Sequence, residues 1–324
     1  MQTRVFEKSV RPLNIRLGVC LLVGALLTLA AHGQTPAGSA AAPLHVLSVQ
    51  GNVSMLVGPG GNITIQTGKD GVLLVDTMTE ALAARVIAEV KTLSSLPVRF
   101  IIDTSMDADH TGGNAALAKI GTTGSRAIPG GGATVIAHER VVQRMSRPTP
   151  GPQPGLPNNE YFTPTKDFYF NGEPIFIIHA PNAHTDGDSM VLFRRSDVIS
   201  TGDVFTPDRF PLIDIARGGS VQGLLAALNR VLLLAVPERL QDGGTRIIPG
   251  HGRISGEADV VEYRDMVTIV RDRVEEQIKK GMSLDQVKTA RPTRDYDGQY
   301  GSPDAFVEAV YNSLRAGEKE RRTP

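Results

Sequence analysis

Ser105-Met106-Asp107-Ala108-Asp109-His110-Thr111-Gly112-Gly113-Asn114 is the stretch on which the reading of this chain turns. It follows Val98 to Ile102, an apolar run typical of a buried strand, and leads into Asn114 to Ile120, which has helical spacing. Asp107, Asp109 and His110 therefore converge on the turn between a strand and a helix. Burying two carboxylates side by side is costly unless a cation or a shared proton compensates. Gly112 and Gly113 let the backbone tighten before the next helix starts.

Three further clusters have the same character. They are Ala183-His184-Thr185-Asp186-Gly187-Asp188, Thr201-Gly202-Asp203, and Pro249-Gly250-His251-Gly252. Each places a His or Asp beside glycine near the end of a strand-like run. Imidazole and carboxylate are standard ligands for zinc and related divalent ions. Taken singly, a His beside Gly is more often structural, and an Asp before a turn more often closes an Asx-turn. The ordered set of four is what carries weight.

The runs around these clusters alternate between strand and helix. His45 to Val49, Val53 to Val57 and Ile63 to Thr67 are short β-rich runs, and Val72 to Val75 reads as a buried strand. Thr79 to Leu93 has helical spacing, and the reading makes Thr134 to Met145 a helix too. Arg147 to Thr165, rich in Pro and Asn, reads as a long loop, either flanking a substrate or simply lying on the surface. Pro174 to Ile178, Ser189 to Phe193, Val198 to Ser200 and Arg246 to Ile248 read as strands, and Val221 to Leu234 as a strongly apolar helix. Val260 to Lys280, Leu284 to Thr289 and Asp304 to Ala316 form a helical tail. The alternation argues for a layered α/β domain, with the polar clusters on the edge where such proteins build their sites. Of the outlying residues, Asp76 and Asp103 are candidates to brace the site, whereas His138 (placed in a helix) and His179 read as structural.

Composition narrows the function. The 324 residues carry 34 Lys+Arg and 34 Asp+Glu, no Trp and 5% aromatics, so neither charge nor stacking surface points to nucleic acid. Cys20 is the only cysteine, which excludes an intrachain disulfide and a cysteine zinc finger. Arg4, Lys8, Arg11 and Arg16 precede an apolar run from Leu17 to Ala31, short for a membrane span and suited to a signal peptide over 1–33. Residues 34–43 then form a flexible lead-in, 44–256 the layered domain and 257–324 a C-terminal helical extension. The expectation is an exported chain, periplasmic or secreted, with no stable membrane insertion after cleavage.

The ordered set resembles the metallo-β-lactamase fold superfamily over most of His45 to about Gly256. The family pattern is His-x-His-x-Asp-His-x-Gly-Gly, then a distal His, a Gly-Asp and a terminal Gly-His-Gly. Asp109-His110 matches the Asp-His of the first motif, His184 the distal His, Asp203 the bridging Asp and His251 the last His. Gly60-Gly61-Asn62 in the opening hairpin and Leu74-Val75-Asp76-Thr77 after the second also resemble the family. The resemblance implies a four-layer αββα sandwich with a C-terminal helical tail. It also implies a metal-dependent hydrolase of a small-molecule substrate, with a metal-acidified water attacking an ester-, lactone-, thioester- or β-lactam-type bond.

The chain departs from the family where the first two histidines should stand, because Ser105 and Asp107 occupy those positions. By the resemblance, one locus would draw on Ser105, Asp107 and His184. The other would draw on Asp109, His110 and His251, with Asp203 bridging. A serine hydroxyl is a poor zinc ligand and an aspartate a good one. Three readings stay open: one metal in the complete locus, two metals with Asp107 and His184 holding the first, or a metal-free binding or scaffold protein. Asp109 and Asp203 are the candidate catalytic residues. Zinc leads as the metal, and the carboxylate-rich donor set also suits manganese or iron.

Overall fold

The computed structural model describes residues 42–123, 131–146 and 153–322. The expected signal peptide, Cys20 and most of the lead-in lie outside the described residues. The described strands form two sheets.

In the first sheet, β1 (His45–Gln50), β2 (Val53–Gly58), β3 (Gly61–Gly68) and β4 (Gly71–Val75) run as an antiparallel meander. β5 (Val98–Ile102), β6 (Thr134–His138) and β7 (Asn159–Tyr161) add in parallel. The crossovers carry α1 (Ala83–Leu93), α2 (Ala108–Thr111), α3 (Asn114–Lys119) and α4 (Glu139–Met145). The second sheet has the order β12-β11-β10-β9-β8. Its strands are β8 (Thr165–Phe170), β9 (Glu173–His179), β10 (Ser189–Phe193), β11 (Val198–Gly202) and β12 (Arg246–Pro249). α5 (Val221–Leu234) precedes β12, and α6 (Glu257–Lys279), α7 (Leu284–Thr289), α8 (Asp297–Tyr300) and α9 (Asp304–Arg322) follow it.

Side-chain alternation along the strands sorts these elements into four layers. On β4, Leu73 and Val75 point between the sheets to meet Ile177, Val191 and Phe193, while Val72 and Leu74 point outward to Val86, Val90 and Leu117. The outer face of the second sheet (Met190, Leu192, Ile199, Ile247) is covered by Leu224 and Leu228 of α5, Val267 and Val274 of α6, and Val310 of α9. Each such side chain contributes roughly 1.5–3 kcal/mol by leaving water. The architecture is the expected αββα sandwich, and the C-terminal helices complete its second outer layer.

Two local expectations fail. Thr134 to Met145 is a strand and then a helix, and His138 caps α4 rather than lying within it. A short apolar run does not distinguish strand from helix by period, and here the β-branched Thr134, Val135 and Ile136 pair in parallel with β5 and β7. The expected loop also contains β7, and β8 begins at its last residue. β8 is an edge strand with alternate exposure, so it lacks the continuous apolar signal of the buried strands.

Candidate metal centre

The polar clusters meet because β5, β11 and β12 end at the same edge of the sandwich, and the loop after β9 joins them. Ser189 N donates to Thr104 O at 2.8 Å, tying the His184 loop to the end of β5. Gly250 N donates to Gly202 O at 2.8 Å, tying the β12 end to that of β11. A Cβ at Gly250 would collide with the Asp203 carboxylate, so glycine is required there. Asn62 clamps the same loop from β3, its Nδ2 donating to Pro249 O and Gly252 O at 2.9 Å each, and its backbone N to Gly250 O at 2.8 Å. His251 is thereby fixed by backbone on both sides.

Asp109, His110 and His251 offer one ligand atom each, all within 4.8 Å of one another, the one group of three or more such residues among the described residues. His251 Nε2 lies 3.2 Å from Asp109 Oδ2. Asp203 lies against both histidines, Oδ2 3.6 Å from His110 Nε2 and Oδ1 3.6 Å from His251 Nε2. His110 Nε2, His251 Nε2 and Asp203 Oδ1 are buried and carry no hydrogen bond. Buried polar atoms normally find partners, so three converging orphans fit a cation that would satisfy them together.

Asp76 supports this group from below. Its Oδ2 lies 2.7 Å from His110 Nδ1 and accepts from Thr104 Oγ1 at 2.7 Å, while Oδ1 accepts from Thr104 N at 2.8 Å. In the neutral ring that contact places the proton on Nδ1 and leaves the Nε2 lone pair facing the centre, the arrangement of a metal-ligating histidine. Asp103 braces less directly. It accepts from Asn114 Nδ2 at 2.8 Å, Asn114 Oδ1 accepts from Thr77 Oγ1, and Thr77 bonds to His110 O. Burial pushes the Asp103 carboxyl well above its usual range.

The charges are strongly coupled. Burial disfavours charge on His110, but Asp76 and Asp203 outweigh it and raise its pKa well above the usual histidine value. Burial opposes ionisation of Asp203, yet His110, His251 and His184 hold its carboxyl well below the ordinary range. Asp109 is lowered in the same way, against burial, by His251 and His110. The carboxylates are thus ionised, as ligands must be.

Asp107 and His184 are not part of that group. Asp107 Oδ2 lies 3.6 Å from His184 Nε2, and Asp107 Oδ1 accepts from the guanidinium of Arg217. Ser105 is buried, and its Oγ accepts from Asp107 N at 3.3 Å. Burial opposes the charge on His184, but Asp188, Asp203 and Asp107 push its pKa up to about 9. Asp188 ties down the turn, accepting from Thr185 N and Oγ1 at 2.7 Å each. His179 stands apart, stacked on His138 with ring centroids 3.6 Å apart and its Nε2 donating to Asp186 O at 2.9 Å.

Sequence reasoning missed Arg217. Its only signal was the frame around it, Asp214-Ile215-Ala216-Arg217-Gly218-Gly219, in which Asp214 caps a single 3-10 turn and Gly218 closes it at φ 83°.

The sequence model of the metallo-beta-lactamase superfamily matches residues 56–251. No curated protein matches the chain. Among solved structures, the stereoselective inverting sec-alkylsulfatase Pisa1 from Pseudomonas sp. is similar at a TM-score of 0.64 and 16% identity, over 87% of this chain and 52% of that one. This chain therefore spans about half the length of the alkylsulfatase. A metallo-beta-lactamase from Pontibacter korlensis is similar at a TM-score of 0.54 and 16% identity, over 70% of this chain and 99% of that one.

Proposed function

Because the chain belongs to the metallo-beta-lactamase superfamily, whose members are generally metal-dependent hydrolases, we propose that it hydrolyses an ester-, lactone-, thioester- or β-lactam-type bond in a small molecule. One observation carries this reading: the buried, unbonded ligand atoms of His110, His251 and Asp203 converge beside Asp109. These four residues would hold the ion. Zinc suits two imidazoles and two carboxylates, and manganese or iron suits the carboxylates. A divalent ion supplies Lewis acidity and makes water acidic enough to lose its proton near neutral pH.

The chain's own groups do the rest. Asp76 holds the His110 ring in the required tautomer and orientation. Asp109 is the accessible carboxylate of the set, with 37% of its side chain exposed, and is placed to accept a proton from the attacking water. Asp203 is buried and ionised, suited to holding rather than shuttling charge. A cleft of about 530 Å³ adjoins His251, lined by Met55, Val57, Ile254 and the exposed Leu47. It suits a substrate with an apolar body flanking the reacting bond. Export to the periplasm or medium belongs to the same proposal, supported by the basic start and the apolar run from Leu17 to Ala31.

The test pairs metal content with turnover. Purified protein should retain near-stoichiometric metal and turn over at least one member of a panel comprising a lactone, a thioester, a β-lactam, a carboxylic ester and a secondary alkyl sulfate. Asp109→Ala, His110→Ala and His251→Ala should each lose activity. Full activity in all three would refute the assignment. Metal-free, inactive wild-type protein after incubation with each ion would make it a binding or scaffold protein.

A further inference from the structure

Asp107 and His184 form the other half of the centre. His184 Nδ1 also lacks a hydrogen bond, facing Asp188 Oδ1 at 3.6 Å, and Asp107 already holds a cation. Arg217 reaches Asp107 Oδ1 with Nη1, and the residues around it fix that reach. Asp214 accepts from Arg217 N at 3.0 Å and lies 3.3 Å from its Nε through Oδ2, so both backbone and side chain of the arginine are held by one residue. Arg217 O accepts from Asp186 N at 3.0 Å and from Arg144 Nη2 at 3.2 Å. Arg144 in turn grips Asp186 with two bonds, of 2.9 and 2.6 Å. Asp214 N donates to His184 O at 2.8 Å, which joins the arginine turn to the histidine loop. At Gly218, which takes a positive φ, a Cβ would also crowd the Asp186 side chain.

A guanidinium cannot be deprotonated in a protein and matches a carboxylate in geometry as well as charge. We propose that Arg217 stands in this chain where a first metal ion would otherwise sit, neutralising Asp107 beside His184, so that the centre is built for one divalent ion and one fixed organic cation. Ser105 then belongs to the same adaptation. With no ion to ligate at that position, a small hydroxyl that bonds to the Asp107 backbone is sufficient. A divalent ion in this locus would have to displace the guanidinium from Asp107 and share the space with its charge. With 39% of its side chain exposed, Arg217 also presents a permanent positive charge towards solvent at the mouth of the centre, where a substrate oxygen would approach.

This inference rests on the metal reading above, and counting ions separates the failure of one from the failure of the other. The full chain is stripped with chelator, dialysed against excess zinc, desalted and assayed for zinc by elemental analysis. Wild type should hold one ion. Ser105→His with Asp107→His should still hold one, because Asp214 continues to hold the Arg217 guanidinium at the locus. Adding Arg217→Ala to that pair should raise the count to two. Two ions in wild type, two in the double variant, or one in the triple variant would each overturn the inference. No ion in wild type would overturn the metal reading and this inference with it. If the triple variant folds poorly, a cycle in the metal-free protein decides: Arg217→Ala and Asp107→Asn should shift the urea midpoint non-additively, and additive shifts would overturn the pairing.

Discussion

The His251 side of the centre is held mainly by backbone, whereas Asp107 is held by a side-chain ion pair. On the first side, Asn62, Gly202 and Gly250 lock the His251 loop through carbonyls and amides, and His110 Nε2, His251 Nε2 and Asp203 Oδ1 are without hydrogen-bond partners. On the second, Arg217 pairs with Asp107 and Asp214, and the Arg144–Asp186 ion pair holds the Arg217 backbone carbonyl. A locus prepared for an exchangeable ion keeps its donors unsatisfied and its frame rigid. A locus that carries its own cation satisfies its carboxylate and takes its rigidity from the same pairs. In the proposed reading, Ser105, Asp107 and Arg217 belong to one half-site that carries its own positive charge.

The largest effect that sharpens this contrast is expected at Asp76. Truncation by Asp76→Ala leaves His110 Nδ1 and the Thr104 amide unpaired in the interior. Removing one partner of such a buried pair costs about 3–5 kcal/mol. Metal affinity should fall by about 10–100-fold on top of that, as for other residues that orient a ligand. Urea unfolding of the metal-free protein, followed by zinc titration, separates the two losses. If affinity is unchanged in protein that still folds, Asp76 does not orient the ligand.

The second prediction concerns the side that rests on side chains. His138 is 4% exposed and stacked on His179, whose Nε2 holds the Asp186 carbonyl, so the stack buttresses the His184 loop. Burial, with the charges of His179 and Arg140, lowers the His138 pKa to about 4. The unfolded chain has the higher value, about 6.5, so it takes up the proton first as pH falls. Stability is full above about pH 6.5, declines between there and about pH 4, and falls no further below. At about 1.36 kcal/mol per unit, the loss approaches about 3 kcal/mol. His138→Asn keeps a helix-capping side chain and removes the titration. Comparing urea midpoints of the two metal-free proteins from pH 7.5 to 4.5 should show the extra decline in wild type alone. Parallel profiles would remove the stack from the support of this loop.

Much of the centre was legible because its parts follow apolar strands. Asp109, His110, Asp203 and His251 each come soon after a run that reads as buried, and glycine marks the turn. Arg217 was hidden for the opposite reason. It sits in a connection with no periodic signal, and its meaning depends on Asp107, 110 positions away in the sequence. β6 was misread because five residues of mixed apolar character suit either period until neighbouring strands decide. β8 was passed over because an edge strand in contact with water lacks the apolar continuity that marked the others.

The smallest effect is expected at Ser105, and it bears most directly on whether the two sides differ in kind. Its hydroxyl accepts one 3.3 Å bond from the Asp107 amide and is otherwise buried. If Arg217 supplies the positive charge of this half, Ser105→Ala removes one weak hydrogen bond and no ligand. The cost should be about 1 kcal/mol or less in stability. Zinc stoichiometry should stay at one, and turnover of whichever panel substrate is accepted should stay within about twofold, far below the loss expected for removing a metal ligand. If Ser105→Ala instead lowers the metal count or abolishes turnover, the serine is a ligand or a substrate contact. The half-site that rests on ion pairs would then be doing the same chemistry as the half that rests on backbone.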